Sequence, residues 1–278
     1  MLDENLIEQI IGTKTSACVL ILDHSIGGGT NRYVLSLVEN IINGDDTDRL
    51  PVMIARYETA NDRIKIMVLQ KDNELLCLPF FADEELFYAC MEKMKLKEII
   101  VNSLVTWPSV RRALSFVSGY KEKHTKTTVR YNGHDFFCIC PSYTLLDDEG
   151  SFCGVRCDEF ECSECISRSV PGNVILDKDS LEHFSITQWR KMWGMFFERS
   201  ADSFDVFSES SKAIFLKAYP CVRQKLCLVP HKVDSFECCR VAVLGTLTMH
   251  KGQRIIEDLC RYLYALSIDN GDSREVCW

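Results

Sequence analysis

The sequence predicts an α/β fold, built on a mostly parallel sheet with helices on both faces. Three observations carry this. Short apolar runs of strand length alternate with segments of helical periodicity along most of the chain. The first such run leads directly into the glycine triplet Gly27-Gly28-Gly29 and then a helical pattern, the opening unit of a doubly wound domain. And 46 % of the 278 residues are hydrophobic against 26 % charged, enough to bury a sizeable core.

Taken in order, residues 1–12 read as a short amphipathic helix, with Leu2, Leu6, Ile7, Ile10 and Ile11 on one face. Ala17–Leu22 is a buried strand, and Tyr33, Leu35, Leu37, Val38, Ile41 and Ile42 mark the helix after the glycine turn. Pro51–Arg56 and Arg63–Gln70 read as strands, with Leu75–Leu78 a candidate hairpin partner. Asp83–Met94 reads as a helix, Glu98–Val101 as a buried strand, and Trp107–Tyr120 as a helix with Pro108 in its first turn. Lys126–Tyr131 is a strand that leads into Asn132-Gly133-His134-Asp135.

From 132 to 173 the rhythm breaks in a stretch dense in Cys, Gly, Asp and Pro, which reads as an irregular insertion. Regularity returns with a helix at Ser185–Ser200, a strand at Ser203–Ser208, a helix near Ser210–Ala218 and a strand at Lys225–Val229. The helical stripe Trp189, Met192, Trp193, Phe196 and Phe197 is a core face. Arg240–Leu244, Gly245–Gly252 and Gln253–Leu266 then read as strand, loop and helix, the first unit of a second α/β domain. The division expected is 1–230 for the first domain and 231–278 for an incomplete second one.

Charge and composition narrow the function classes. A net charge of −8 argues against nucleic acid as a partner, since that binding depends on cations meeting phosphates. The acidic start lacks the pattern of a signal peptide, and no apolar run reaches the ~18–20 residues of a membrane span. A soluble, cytoplasmic protein with reduced thiols is expected, so the 15 cysteines are candidate metal ligands where they cluster. Arg111, Arg112, Lys121, Lys123, Lys126 and Arg130 form either a solvated basic face or a peripheral contact with an anionic membrane.

Three segments carry chemistry. Gly27, Gly28 and Gly29 lie between a strand end and a helix start, where free backbone amides and the positive helix end stabilise a phosphate; a plain tight turn is the competing reading. His134 and Asp135 follow a strand, at the carboxyl edge where open α/β sheets bind ligands. An imidazole there hydrogen-bonds a hydroxyl or handles a proton; a turn cap, or packing beneath the cysteine-rich insertion, is the competing reading. The run Cys153-x3-Cys157-x4-Cys162-x2-Cys165, with Cys138 and Cys140 upstream, offers thiolates for a closed structural zinc site or is a set of unrelated thiols.

Several segments together resemble bacterial group-1 (GT-B) glycosyltransferases of surface-polysaccharide assembly, including rhamnosyltransferase-like ones. They are Asp23-His24-Ser25-Ile26-Gly27-Gly28-Gly29-Thr30-Asn31-Arg32-Tyr33, then His134-Asp135-Phe136-Phe137-Cys138-Ile139-Cys140-Pro141, then Leu145-Leu146-Asp147 with Phe152-Cys153-Gly154. Cys162-Ser163-Glu164-Cys165, Trp189-Arg190, Val229-Pro230-His231, and Val243-Leu244-Gly245 with His250-Lys251-Gly252 complete the set.

The resemblance implies a Rossmann-type acceptor-side domain, a cysteine-rich insertion and the start of a donor-side domain. It implies transfer of a sugar from a nucleotide-diphosphate donor to a saccharide or lipid-linked saccharide acceptor at the inner membrane face. The glycine loop would face the inter-domain cleft, His134 would lie by the transferred sugar, and Lys251 would neutralise the diphosphate. An arginine usual after the loop glycine is Thr246 here. Cys140, Cys153, Cys162 and Cys165 match the family's cysteine pattern, with a structural zinc implied. Relative to a full-length member the chain reads as truncated before the family's acidic pair, so the alternative expectation is a non-catalytic saccharide-binding or scaffold half.

Overall fold

The computed structural model describes residues 17–43, 50–70, 74–75, 80–155, 159–169, 184–231 and 261. The helix expected at 1–12, the strand, loop and helix expected at 240–266, and Lys251 lie outside the described residues.

Strand β1 (Cys18–His24) is buried along its whole length, as a run with no polar alternation requires of a strand covered on both faces. Helix α1 (Gly29–Asn43) follows, buries Val34, Val38 and Ile42, and returns the chain to β2 (Val52–Glu58). β3 (Arg63–Gln70) folds back antiparallel on β2, and the short β4 (Glu74–Leu75) and β5 (Phe80–Ala82) both pair with β3. Helix α2 (Glu84–Lys93) is capped by Asp83, whose carboxylate accepts from the Leu86 amide at 2.8 Å. The chain then crosses to β6 (Leu96–Val101), on the opposite side of β1 from β2.

Helix α3 (Val110–Lys123) starts three residues later than the sequence suggests. Ser109, not Pro108, ends the approach: its hydroxyl accepts from the Arg112 amide at 3.2 Å, so Pro108 precedes the helix rather than sitting in its first turn. Beyond β7 (Thr128–Gly133), the stretch read as an irregular insertion contains a regular helix, α4 (Glu159–Arg168). Helix α5 (Ile186–Arg199), β8 (Ser203–Val206), α6 (Glu209–Ala218), a 3₁₀ turn (Pro220–Gln224) and β9 (Leu226–Leu228) follow.

The sheet order is β4-β3-β2-β1-β6-β7-β8-β9, with β5 alongside β3. It is a mixed Rossmann-like sheet: β2, β1, β6, β7, β8 and β9 run parallel, and the antiparallel pairings are confined to the β3 side. Both faces are covered. Alternate β1 residues Val19 and Ile21 join α1 in the smaller core, while Leu20 and Leu22 join the larger core with α2, α3, α5 and α6. The stripe on α5 is the centre of that larger core, with Trp193, Phe196 and Phe197 buried. Each such side chain contributes roughly 1.5–3 kcal/mol of burial. Among the described residues no helix is long and apolar enough to cross a membrane.

Candidate functional site

The chain leaves β1 for β2 on one side and later takes up β6 on the other, so the carboxyl ends of β1 and β6 flank a topological switch point. The residues that end these strands and β7 are polar and buried: Asp23 and His24 on β1, Asn102 and Ser103 after β6, and Asn132 on β7. Buried polar side chains at strand ends must find partners, and here they find one another.

Asp23 is the root of the network. Its Oδ2 accepts from Arg56 Nε at 2.8 Å, with Arg56 Nη2 2.7 Å away, and its Oδ1 accepts from Asn102 Nδ2 at 2.8 Å. The parallel register that pairs Asp23 with Arg56 across β1 and β2 puts the ion pair in place. Trp107 Nε1 donates to the Asp23 carbonyl at 2.9 Å, which ties the loop after β6 to the end of β1. That loop carries strain: Thr106 holds φ of 84°, unusual for a β-branched residue, and its buried hydroxyl lacks a hydrogen-bond partner.

Asn102 passes the order on. Its Oδ1 receives Asn132 Nδ2 at 2.8 Å and lies 3.1 Å from His134 Nε2. The Asn132 Oδ1 on the far side of that amide is buried without a partner. Burial, reinforced by His231 and His24, lowers the His134 pKa from 6.5 to about 3, so the ring is neutral at physiological pH.

Above this layer lies a cluster of rings. His134 stacks on Phe207, with centroids 4.2 Å apart, and Phe207 stacks on His231 at 4.6 Å. Tyr33, one turn into α1, meets the His134 ring edge-on at 4.5 Å. Gly27 and Gly28 precede that helix with φ of 84° and 80°, a region open to glycine and strained for other residues. A Cβ built on Gly27, Gly28 or Gly29 would meet nothing within 4 Å, so their backbone is open to approach. Through Tyr33, the glycine turn and His134 come together at one sheet edge. Such a surface suits a ligand with apolar C–H faces and several hydroxyls, which aromatic rings and fixed polar groups recognise together.

Asp135 faces a different task. Its Oδ2 accepts from Ser103 Oγ at 2.7 Å and its Oδ1 from the Phe137 amide at 2.9 Å, so it braces the loop after β7. Burial raises its pKa against these two bonds.

The loop from 136 to 140 is pinned from α5, where Trp189 Nε1 donates to the Phe137 carbonyl at 2.8 Å and Arg190 Nε to that of Ile139 at 3.0 Å. Cys140, Cys153 and Cys162 pack half-buried against the larger core beside this loop. Cys153 and Cys162 each bear on the acidity of Cys140, and Cys153 on that of Cys165. Burial pushes the Cys140 thiol up to about 12. Among the described residues, however, no three His, Cys, Asp or Glu side chains converge as a cation site. The four thiols therefore form no metal tetrahedron in this structure, and Cys157 lies outside the described residues.

Sequence reading missed Asn102, Asn132, Ser103, Arg56, Trp107 and Phe207. A faint signal existed for two of them, since Asn102 and Asn132 are amides set directly at the ends of apolar strands. No family model matches the sequence, and comparison with curated proteins and with solved structures likewise finds no match.

Proposed function

We propose that this chain is the acceptor-side part of a GT-B glycosyltransferase that moves a sugar from a nucleotide-diphosphate donor to a saccharide acceptor. The observation that carries the reading is the neutral His134, set among Tyr33, Phe207 and His231 over a buried polar network and beside an open glycine turn. In this reading the amides of Gly27–Gly29 and the start of α1 receive the diphosphate, aided by Lys251. The aromatic cluster takes the apolar face of a sugar, and His134 meets a sugar hydroxyl.

The acceptor in this reading is a free or a lipid-linked saccharide; a lipid-linked one would bring the basic residues of α3 and its surroundings to the inner membrane surface. Of these cations, Arg112 is paired with Glu84, Lys121 with Asp202 and Lys123 with Glu92, and on the neighbouring β7 Arg130 is paired with Glu98. Exposed Arg111 and Lys126 would therefore make such a contact. The same reading assigns Cys140, Cys153, Cys162 and Cys165 to a structural zinc, with no step of the reaction passing through it.

Calorimetric titration with a panel of nucleotide-diphosphate sugars tests the proposal. Binding that His134→Ala weakens at least tenfold supports the transferase. Saccharide binding without nucleotide binding would instead identify a non-catalytic acceptor-binding half.

A further inference from the structure

The hydrogen-bond chain behind His134 leaves little choice about where its atoms must point. A carboxylate accepts and never donates, so the contact between Asp23 Oδ1 and Asn102 requires the Asn102 Nδ2 on that side. The Arg56 guanidinium, engaged with the other carboxylate oxygen, keeps Asp23 in its acceptor form. The Asn102 carbonyl oxygen must then face the opposite way, toward Asn132 Nδ2 and His134 Nε2. An oxygen facing an imidazole nitrogen at 3.1 Å requires that nitrogen to carry the proton.

We propose that Asn102 is a positioning residue: its amide, oriented by Asp23, holds His134 as the Nε2–H tautomer and leaves Nδ1 as the ring's acceptor. This deepens the proposed function by giving His134 a definite polarity toward a ligand. Nδ1 accepts a hydrogen bond from a hydroxyl donor and does not donate one to a carbonyl or phosphate oxygen. The groups around the ring agree with a neutral acceptor. Tyr33 approaches from α1, Phe207 from beyond β8, His231 from beyond β9 and His24 from β1, and none of them brings a carboxylate that would favour an imidazolium.

The test is long-range proton–nitrogen NMR of the imidazoles in the intact, ligand-free chain, with His134 assigned through His134→Gln. The wild-type spectrum is expected to show His134 as a single Nε2–H tautomer between pH 5 and pH 7. Asn102→Ala is expected to give averaged nitrogen shifts from both tautomers and at least tenfold faster exchange of the ring N–H. A wild-type Nδ1–H tautomer, a mixture, or a variant spectrum identical to wild type overturns the inference. Should Asn102→Ala fail to fold, the wild-type tautomer decides alone. Because no ligand is needed, an Nε2–H tautomer in a chain that binds no nucleotide sugar sinks the transferase reading and leaves this one standing.

Discussion

His134 Nε2 lies 3.1 Å from Asn102 Oδ1, and this contact joins a half-buried ring to an ion pair on the far side of β1. Burial of that ring, reinforced by His231 and His24, sets how it responds to acid. The folded pKa is about 3 against an ordinary 6.5. Between those values the unfolded chain takes up a proton that the folded chain refuses, so stability falls as pH drops through the window and is unaffected above it. By pH 5 the loss is up to about 2 kcal/mol, reduced by solvent screening of a ring that is only half-buried. Urea unfolding at pH 7 and pH 5 should show this extra acid loss in the wild type and its absence in His134→Asn. Equal acid losses in the two would show that His134 stays accessible to protons.

Much of the fold was legible because it is written locally. The apolar run of β1, the period of α1 and the aromatic stripe on α5 each sit within one segment, and the structure forms each of them. Helix α4 was hidden because it sits inside a stretch dense in Cys, Gly, Asp and Pro, whose loop-like composition outweighs its own helical pattern. The site was legible only in part. Gly27–Gly29 and His134 stand at strand ends, where position alone suggests a ligand. Asp23 and Asn102, 79 residues apart, meet only because the crossover sets β6 beside β1, and no local pattern encodes that.

The three turn glycines should separate under substitution. Gly28 holds φ of 80°, so Gly28→Ala is expected to cost about 1–2 kcal/mol in thermal or denaturant unfolding. Gly29 begins α1 without a positive φ and has open space around it, so Gly29→Ala should be neutral or slightly stabilising. If the backbone there serves a diphosphate, Gly29→Ala weakens nucleotide-diphosphate binding at least tenfold while the fold is unchanged. Unchanged binding would reduce the triplet to a turn.

Cysteine chemistry offers a direct measurement. Neutral, half-buried thiols such as Cys140 must lose protons to become metal ligands, so zinc uptake would release protons into weak buffer. If the four thiols rearrange to hold the proposed zinc, chelator-treated protein takes up one equivalent with proton release, and Cys165→Ser abolishes the tight phase. Uptake unaffected by Cys165→Ser, or none at all, would leave the four thiols as packing groups.

The turn after β7 gives the sharpest steric test. A Cβ on Gly133 would lie 2.7 and 2.9 Å from ring atoms of Phe215 and 3.2 Å from Phe204, both wholly buried. Neither ring is free to withdraw, so Gly133→Ala is expected to cost about 1–3 kcal/mol of unfolding free energy. Gly133 sits between Asn132, which donates to Asn102, and His134, so the displacement should also reach the ring cluster. Ring-current shifts of His134 and Phe207 in proton NMR should move together with the loss of stability. A destabilised variant with unmoved shifts would show that the packing beneath β7 and the site above it are mechanically separate.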